Sequence, residues 1–196
     1  MQDQSRYPGT RAFQEKERHL FFGRDRDKKK LSNLIVLEKL VVLFGKAGYG
    51  KSSLLNAGII PHLRHVKHHL PIKIRLTHAE IKTKEPAAKP LEILSDQLDL
   101  QIEIINKDLE KKNREPCFLA AKMDIPKLLP EDLTAILWYK LKVIQLTKEI
   151  NEATTLIFDQ FEALFRYYND TEAEEFGRSM AALLHSNPPD EILDLI

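Results

Sequence analysis

The pattern of hydrophobic and polar positions predicts a chain in which strands alternate with helices. Short apolar stretches with β-branched or alternating residues predict strands at 40–44, 70–76 and 154–161. Apolar residues at steps of three and four predict helices in the second half of 21–34 and at 91–109, 131–151 and 172–185. A fourth strand is predicted to begin within 191–196. Strands separated by helices are typical of a parallel, doubly wound sheet, so the predicted fold class is α/β.

The stretch 40–61 carries the strongest local pattern. Its apolar run, 40–44, predicts a buried strand and ends at Gly45. GKAGYGKS, residues 45–52, then fits the phosphate-binding pattern G-x-x-x-x-G-K-[ST]. A helical pattern follows at 53–60, and Pro61 marks its predicted end. Strand, glycine loop and helix in this order are the context that a phosphate-binding loop requires.

The residue types of this loop suit a polyphosphate. Gly45, Gly48 and Gly50 give the backbone the freedom to turn its N–H groups toward an anion. The helix N-terminus that follows adds free N–H groups and a favourable dipole. Lys51 is predicted to place its charge on the β- and γ-phosphates, and Ser52 to offer its hydroxyl to Mg²⁺.

A carboxylate at the end of a strand is the second element that a magnesium–nucleotide site needs. Asp159 follows the apolar residues of the predicted strand 154–161 and meets this requirement. Glu162, three residues later, is a candidate general base for the attacking water. The alternative for Glu162 is a surface carboxylate at the start of a helix. Lys51 and Glu162 are therefore the catalytic candidates.

Composition narrows the setting. A chain of 196 residues with net charge +1 predicts one globular domain, and it has no basic excess that would favour nucleic acid. Cys117 is the single cysteine, which suits a reducing compartment. The N-terminus has no apolar leader, and no apolar run approaches the roughly 20 residues that cross a bilayer. These features predict a cytoplasmic protein without membrane contact.

Histidines cluster between residues 61 and 69. His65 and His69 have the i,i+4 spacing of two helical metal ligands. Arg64 and Lys67 add positive charge among them, which disfavours a cation. We predict a solvated basic linker at this position.

Three segments of the chain, in order, resemble the STAND-type NTPases in their bacterial "novel STAND" branch. The segments are YPGTRAF with HLFFGRDRD, then VVLFGKAGYGKSSLLNAGIIPHL, and LIFDQFEALF. The resemblance implies a signal-transduction ATPase of the AAA+-related class, with a three-layer α/β/α P-loop fold and a mainly parallel sheet. It also implies Mg²⁺ with ATP or ADP as the bound ligand.

The resemblance implies roles for individual residues. Phe22, Gly23 and Arg24 belong to the element that lies near the adenine, in which Asp27 stands where the family usually has Glu. Ser52 and Asp159 are the expected magnesium ligands. The nucleotide-binding loop comprises Gly45, Lys46, Ala47, Gly48, Tyr49, Gly50, Lys51, Ser52 and Ser53.

The family pattern also differs from this chain in two places. Ala163 stands where members usually carry a second Glu, and members continue into a strand with a sensor arginine. We therefore expect a lead-in segment, residues 1–20, and a nucleotide-binding domain, residues 21–196, truncated before the sensor strand. We expect protein partners or oligomerisation through the missing C-terminal regions. The predicted function is an ATP/ADP switch with weak hydrolysis; the alternative is a non-hydrolysing nucleotide-binding or protein-interaction module.

Overall fold

The computed structural model describes residues 9–66, 69–76, 88–111, 133–147 and 153–185. These residues form a mixed α/β structure that is mostly helical, with a small parallel sheet. The chain divides into two compact units, Met1–Pro71 and Ile72–Ile196, and each is described by itself. Among the described residues, no helix combines the length and the apolar character needed to cross a bilayer.

The first unit is built from helical segments. A 3₁₀ segment at Glu15–Leu20 is followed by helix α1, Asp25–Leu37. A continuous helical stretch then comprises α2 (Lys51–Ser53), a segment at Leu54–Ile59 with π-helical hydrogen bonding, and α3 (Ile60–Val66). The 3₁₀ segment and α1 both pack on the π-helical segment. Most apolar residues of this helical stretch are buried, namely Leu54, Ala57, Ile59, Ile60 and Leu63. This burial fixes the helix that follows the glycine loop.

The prediction that Pro61 ends this helix is wrong. The π-helical segment ends with the N–H of Ile60 on the carbonyl of Leu55, and α3 starts at Ile60. Pro61 therefore stands in the first turn of a new α-helical segment, where its missing N–H is tolerated. The helix continues to Val66, through part of the predicted histidine linker.

The prediction of a buried strand at 40–44 is also wrong. These residues are irregular in backbone conformation and largely exposed, Val42 by 73% and Phe44 by 88%. A strand is stabilised by hydrogen bonds to a neighbouring strand and by burial of its side chains. The sheet in the described part of the chain pairs two other segments with each other, so apolar composition alone does not make this stretch a strand.

The small sheet joins two segments distant in sequence. Strand β1 spans Leu70–Ile74 and strand β2 spans Thr154–Phe158, as the apolar patterns predicted apart from their last residues. The N–H of Asp159 extends the pairing by donating to the carbonyl of Ile74 at 3.0 Å. This register places the end of β2 directly beside the end of β1.

Helices α4 (Pro90–Lys111), α5 (Leu133–Thr147) and α7 (Asp170–His185) pack on one another in the second unit. A short helix, α6 (Ala163–Tyr167), lies between β2 and α7 in sequence and packs on α7. The predicted inner stripe of α4 is confirmed, since these residues are all buried: Leu91, Leu94, Leu98, Ile102, Ile105 and Leu109. The neighbouring apolar residues Leu100 and Ile104 are instead about half exposed.

A buried lysine ties α4 to α5. Lys140 on α5 donates from Nζ to Ser95 Oγ at 2.6 Å and to Asp99 Oδ2 at 2.6 Å, both on α4. The ammonium is therefore compensated by a hydroxyl and a carboxylate. Cys117 and the strand predicted to begin within 191–196 lie outside the described residues.

Candidate phosphate and magnesium site

The glycine loop takes backbone conformations that side chains disfavour. Gly48 has φ +81° and Gly50 has φ +74°, both in the left-handed region. Gly50 directly precedes α2, and its carbonyl accepts the N–H of Leu54 at 2.8 Å. The loop residues 45–49 are exposed to solvent. The loop therefore presents an open turn that leads straight into a helix start, as the motif requires.

The ammonium of Lys51 is turned back onto this loop. Its Nζ donates to the carbonyl oxygen of Gly45 at 2.7 Å and to that of Lys46 at 3.1 Å. These carbonyls hold the cation over the turn. An anionic phosphate would compete with neutral carbonyls for the same charge, and a charge-assisted contact is the stronger of the two.

Arg24 connects the predicted adenine element to the glycine loop. Its guanidinium forms an ion pair with Asp27 and donates from Nη1 to the carbonyl of Tyr49 at 3.3 Å. Gly23 before it has φ +79°, and the ring of Phe22 is exposed. The structure therefore brings Arg24 beside the phosphate loop and leaves two aromatic rings, Phe22 and Tyr49, open to solvent.

The lead-in segment is hydrogen bonded to the helix after the loop. Ser53 Oγ accepts the backbone N–H of Phe13 at 3.1 Å, and Asn56 Nδ2 donates to the carbonyl of Phe13 at 3.0 Å. Both side chains are buried. Ser53, a predicted nucleotide-binding residue, is thus placed against the lead-in. Sequence reasoning missed Asn56, although a polar residue on the buried face of an otherwise apolar helix was an available signal.

Asp159 lies at the end of β2 and is almost completely buried, with 4% of its side chain exposed. Two cations contact its Oδ2: Lys73 Nζ at 2.8 Å and Arg75 Nη2 at 3.1 Å. Sequence reasoning missed both, although basic residues two apart in a strand share one face. After Asp159 the chain turns sharply, because Gln160 takes the left-handed conformation at φ +65°.

Aromatic rings fix the turn that follows β2. Phe158 contacts Phe161 and Phe176 edge to face, at centroid distances of 5.8 and 5.6 Å. Glu162 then precedes α6 and is exposed, whereas Ala163 is buried. An exposed carboxylate is reachable by water. The buried position of Ala163 suits a small apolar side chain.

The donor chemistry fits a magnesium–nucleotide. Mg²⁺ prefers oxygen ligands and usually takes one or two from the protein, the rest coming from phosphates and water. Ser52 in the first unit carries a hydroxyl of this kind, and Asp159 in the second unit carries a carboxylate. Within the described ranges, no group of three or more His, Cys, Asp or Glu residues is arranged to hold a metal ion.

Comparison with protein families decides the class. The chain matches the family Novel STAND NTPase 1 over residues 7–193, nearly its whole length. The chain belongs to this family. Comparison with curated proteins and with solved structures finds no significant match.

Membership in the Novel STAND NTPase 1 family confirms the resemblance drawn from the three sequence segments. It makes the chain an NTPase-type, nucleotide-binding protein, and NTPases of this kind generally use nucleotide together with Mg²⁺.

Proposed function

We propose that the chain binds Mg-ATP and Mg-ADP and acts as a nucleotide-dependent switch in signal transduction. The observation that carries this proposal is the glycine loop, whose left-handed residues lead directly into Lys51 and a helix start. A loop of this kind turns several backbone N–H groups toward one anion. A switch requires only that ATP and ADP stabilise different arrangements of the domain.

Each predicted residue has a place in this proposal. Lys51 leaves the loop carbonyls and contacts the β- and γ-phosphates, with residues 45–53 around them. Ser52 and Asp159 hold Mg²⁺. Phe22, Gly23 and Arg24 receive the adenine, and the hydrogen bond from Arg24 to Tyr49 supports a link between base and phosphate recognition.

Hydrolysis is expected to be slow. Lys51, Ser52 and Asp159 suffice to hold the nucleotide, but fast turnover also needs an oriented water and extra positive charge on the γ-phosphate. Glu162 is exposed and can orient the water. An arginine supplied by another region or subunit is worth on the order of 10³ or more in related systems, so we propose that turnover depends on such a partner.

The alternative function is a nucleotide-binding or interaction module without hydrolysis. Ala163, buried where the family usually has a second glutamate, favours it. The two functions separate in a phosphate-release assay. Release that is lost in both Asp159→Ala and Glu162→Gln supports the switch with hydrolysis; nucleotide binding without release supports the alternative.

We also propose the wider setting in which this switch works. Residues 21–196 form the nucleotide domain, with a three-layer α/β/α fold typical of P-loop proteins, and residues 1–20 lead into it. Protein partners or oligomerisation complete the switch. The single cysteine, Cys117, is in keeping with the reducing cytoplasm.

Calorimetric titration of the chain with ATP, ADP and GTP, with and without Mg²⁺, tests the proposal. We expect both adenine nucleotides to bind and GTP to bind more weakly. Equal or tighter binding of GTP would contradict the adenine assignment of Phe22 to Arg24. The absence of binding by any of the three would contradict the function itself.

A further inference from the structure

The carboxylate proposed to hold Mg²⁺ is already occupied by two cations of the same unit. Lys73 and Arg75, on and just after β1, both contact the Oδ2 atom of Asp159, and Arg75 does so through Nη2 at 3.1 Å and Nε at 3.4 Å. A magnesium ion that coordinates this oxygen competes with both groups for its lone pairs. At either oxygen of the carboxylate, the ion competes with their positive charge.

Electrostatics explains why this arrangement is stable. A carboxylate with 4% exposure has lost most of its hydration, and it persists as a charge only with close compensation. The ammonium and the guanidinium provide that compensation without any ligand. A divalent ion brought there alone would also be repelled by two nearby positive charges.

We propose that Lys73 and Arg75 are built-in counter-cations that keep free Mg²⁺ off Asp159, so that the metal binds there only together with the anionic phosphates of a nucleotide. The inference rests on the proposed role of Asp159 toward Mg-nucleotide. According to this inference, Lys73 and Arg75 act through Asp159, because they control when its carboxylate is available to a metal ion. The order of binding follows: nucleotide and metal enter as one complex.

Thermal unfolding with and without millimolar MgCl₂, in the absence of nucleotide, tests the inference. The unfolding midpoint of the unaltered chain should move by less than about 1 °C, whereas that of Lys73→Gln/Arg75→Gln should rise by about 2–4 °C. Adding Asp159→Asn to the double variant should abolish the rise, because the metal ligand is then gone. Asp159→Asn should also remove the buried negative charge that the double variant leaves without compensation.

A matched control removes two charges elsewhere in the same unit. Lys107 and Arg178 are exposed on α4 and α7, and Lys107→Gln/Arg178→Gln should respond to Mg²⁺ as the unaltered chain does. If the main double variant does not fold, Arg75→Gln alone keeps Lys73 as a partner and should show a smaller rise. The inference would be overturned if Mg²⁺ shifted the unfolding midpoint of the unaltered chain and of Lys73→Gln/Arg75→Gln equally. It would also be overturned if Mg²⁺ shifted the midpoint of neither this double variant nor Arg75→Gln.

Calorimetric binding of ADP to the unaltered chain distinguishes the two proposals. If ADP does not bind, the proposed function fails, while the response of the variants to Mg²⁺ still decides whether Lys73 and Arg75 guard Asp159. If ADP binds and neither variant responds to Mg²⁺ through Asp159, the counter-cation inference alone fails.

Discussion

Lys51 shows how a single side chain prepares the phosphate loop. Its ammonium donates hydrogen bonds to two carbonyl oxygens of the loop. These two carbonyl groups lose little free energy when the ammonium moves away, because water readily hydrates carbonyls at the surface. The loop thus keeps its charge close to where phosphate is proposed to bind.

Replacing Lys51 by Ala should weaken ATP binding by about 2 kcal/mol or more, because a charge-assisted contact to phosphate is lost. Stability should change little, since the lysine is not part of the core. Calorimetry measures the affinity. Lys30→Ala, an exposed lysine on α1 in the same unit, is the control and should bind ATP normally. Unchanged affinity of the Lys51 variant would contradict its assignment.

Two glycines should respond to alanine in opposite directions. Gly50→Ala forces a Cβ onto a backbone with φ +74° and should cost about 1–2 kcal/mol of unfolding free energy. Gly177→Ala lies within α7 with open space around its new methyl group, and should gain about 0.5–1 kcal/mol through helix propensity. Urea unfolding measures both. A stabilising Gly50→Ala would contradict the strained turn.

At the scale of elements, the lead-in segment is joined to the helix after the loop by a pair of hydrogen bonds on one residue. Ser53 Oγ accepts the backbone N–H of Phe13, and Asn56 Nδ2 donates to the carbonyl of Phe13. The ring centroids of Phe13 and Phe21 lie 5.6 Å apart. The lead-in therefore acts as a strap across the helix that carries Lys51 at its start. Loss of this segment's hydrogen bonds to the helix should therefore affect the glycine loop.

Asn56→Ala should lower the free energy of unfolding by about 1–3 kcal/mol, because the carbonyl of Phe13 loses its donor in a partly buried place. The same variant should increase cleavage of the lead-in by a protease. Asn33→Ala on the exposed side of α1 is the matched control, with a change within about 0.5 kcal/mol. Equal effects of the two variants would contradict the strap.

The strap should also respond to acid. Hydrogen bonds from the Arg11 guanidinium and the Gln14 backbone lower the pKa of Glu17 to about 2. A lowered folded pKa contributes stability that is present above the ordinary value near 4.5 and is lost as the pH falls toward 2. NMR titration of the Glu17 carboxyl carbon gives the pKa. Glu17→Gln should flatten this pH dependence relative to Glu38→Gln, and a normal Glu17 titration would contradict the contact.

The sequence predicts local elements better than distant contacts. The stripe on α4 is read directly from its period, because burial on one face repeats every three or four residues. The exposure of Leu100 and Ile104 cannot be predicted in this way, because periodicity does not tell which faces of a helix have neighbours. Lys73 and Arg75 were missed as partners of Asp159 because they lie more than 80 residues away, and only the pairing of β1 with β2 brings them together.

At the scale of the whole molecule, the glycine loop and Asp159 belong to different compact units. Hydrogen–deuterium exchange can follow nucleotide binding in the first unit by itself: adding Mg-ADP should slow exchange at 45–53 by about tenfold or more, since amides that are hydrogen bonded to a ligand exchange through opening. Residues 100–104, helical and remote in sequence, are the internal control. Unchanged exchange at 45–53 would contradict the assignment of this loop to phosphate.

The exposed stretch at 40–44 also affects how the chain behaves at high concentration. LVVLF has strong β propensity and no charge, a composition typical of segments that stack into cross-β fibrils. Lysines guard it on both sides, at 39 and at 46, and like charges repel identical copies that approach one another. Lys46 also belongs to the glycine loop that is proposed to bind phosphate. A substitution at this position therefore bears both on aggregation and on the proposed binding of nucleotide.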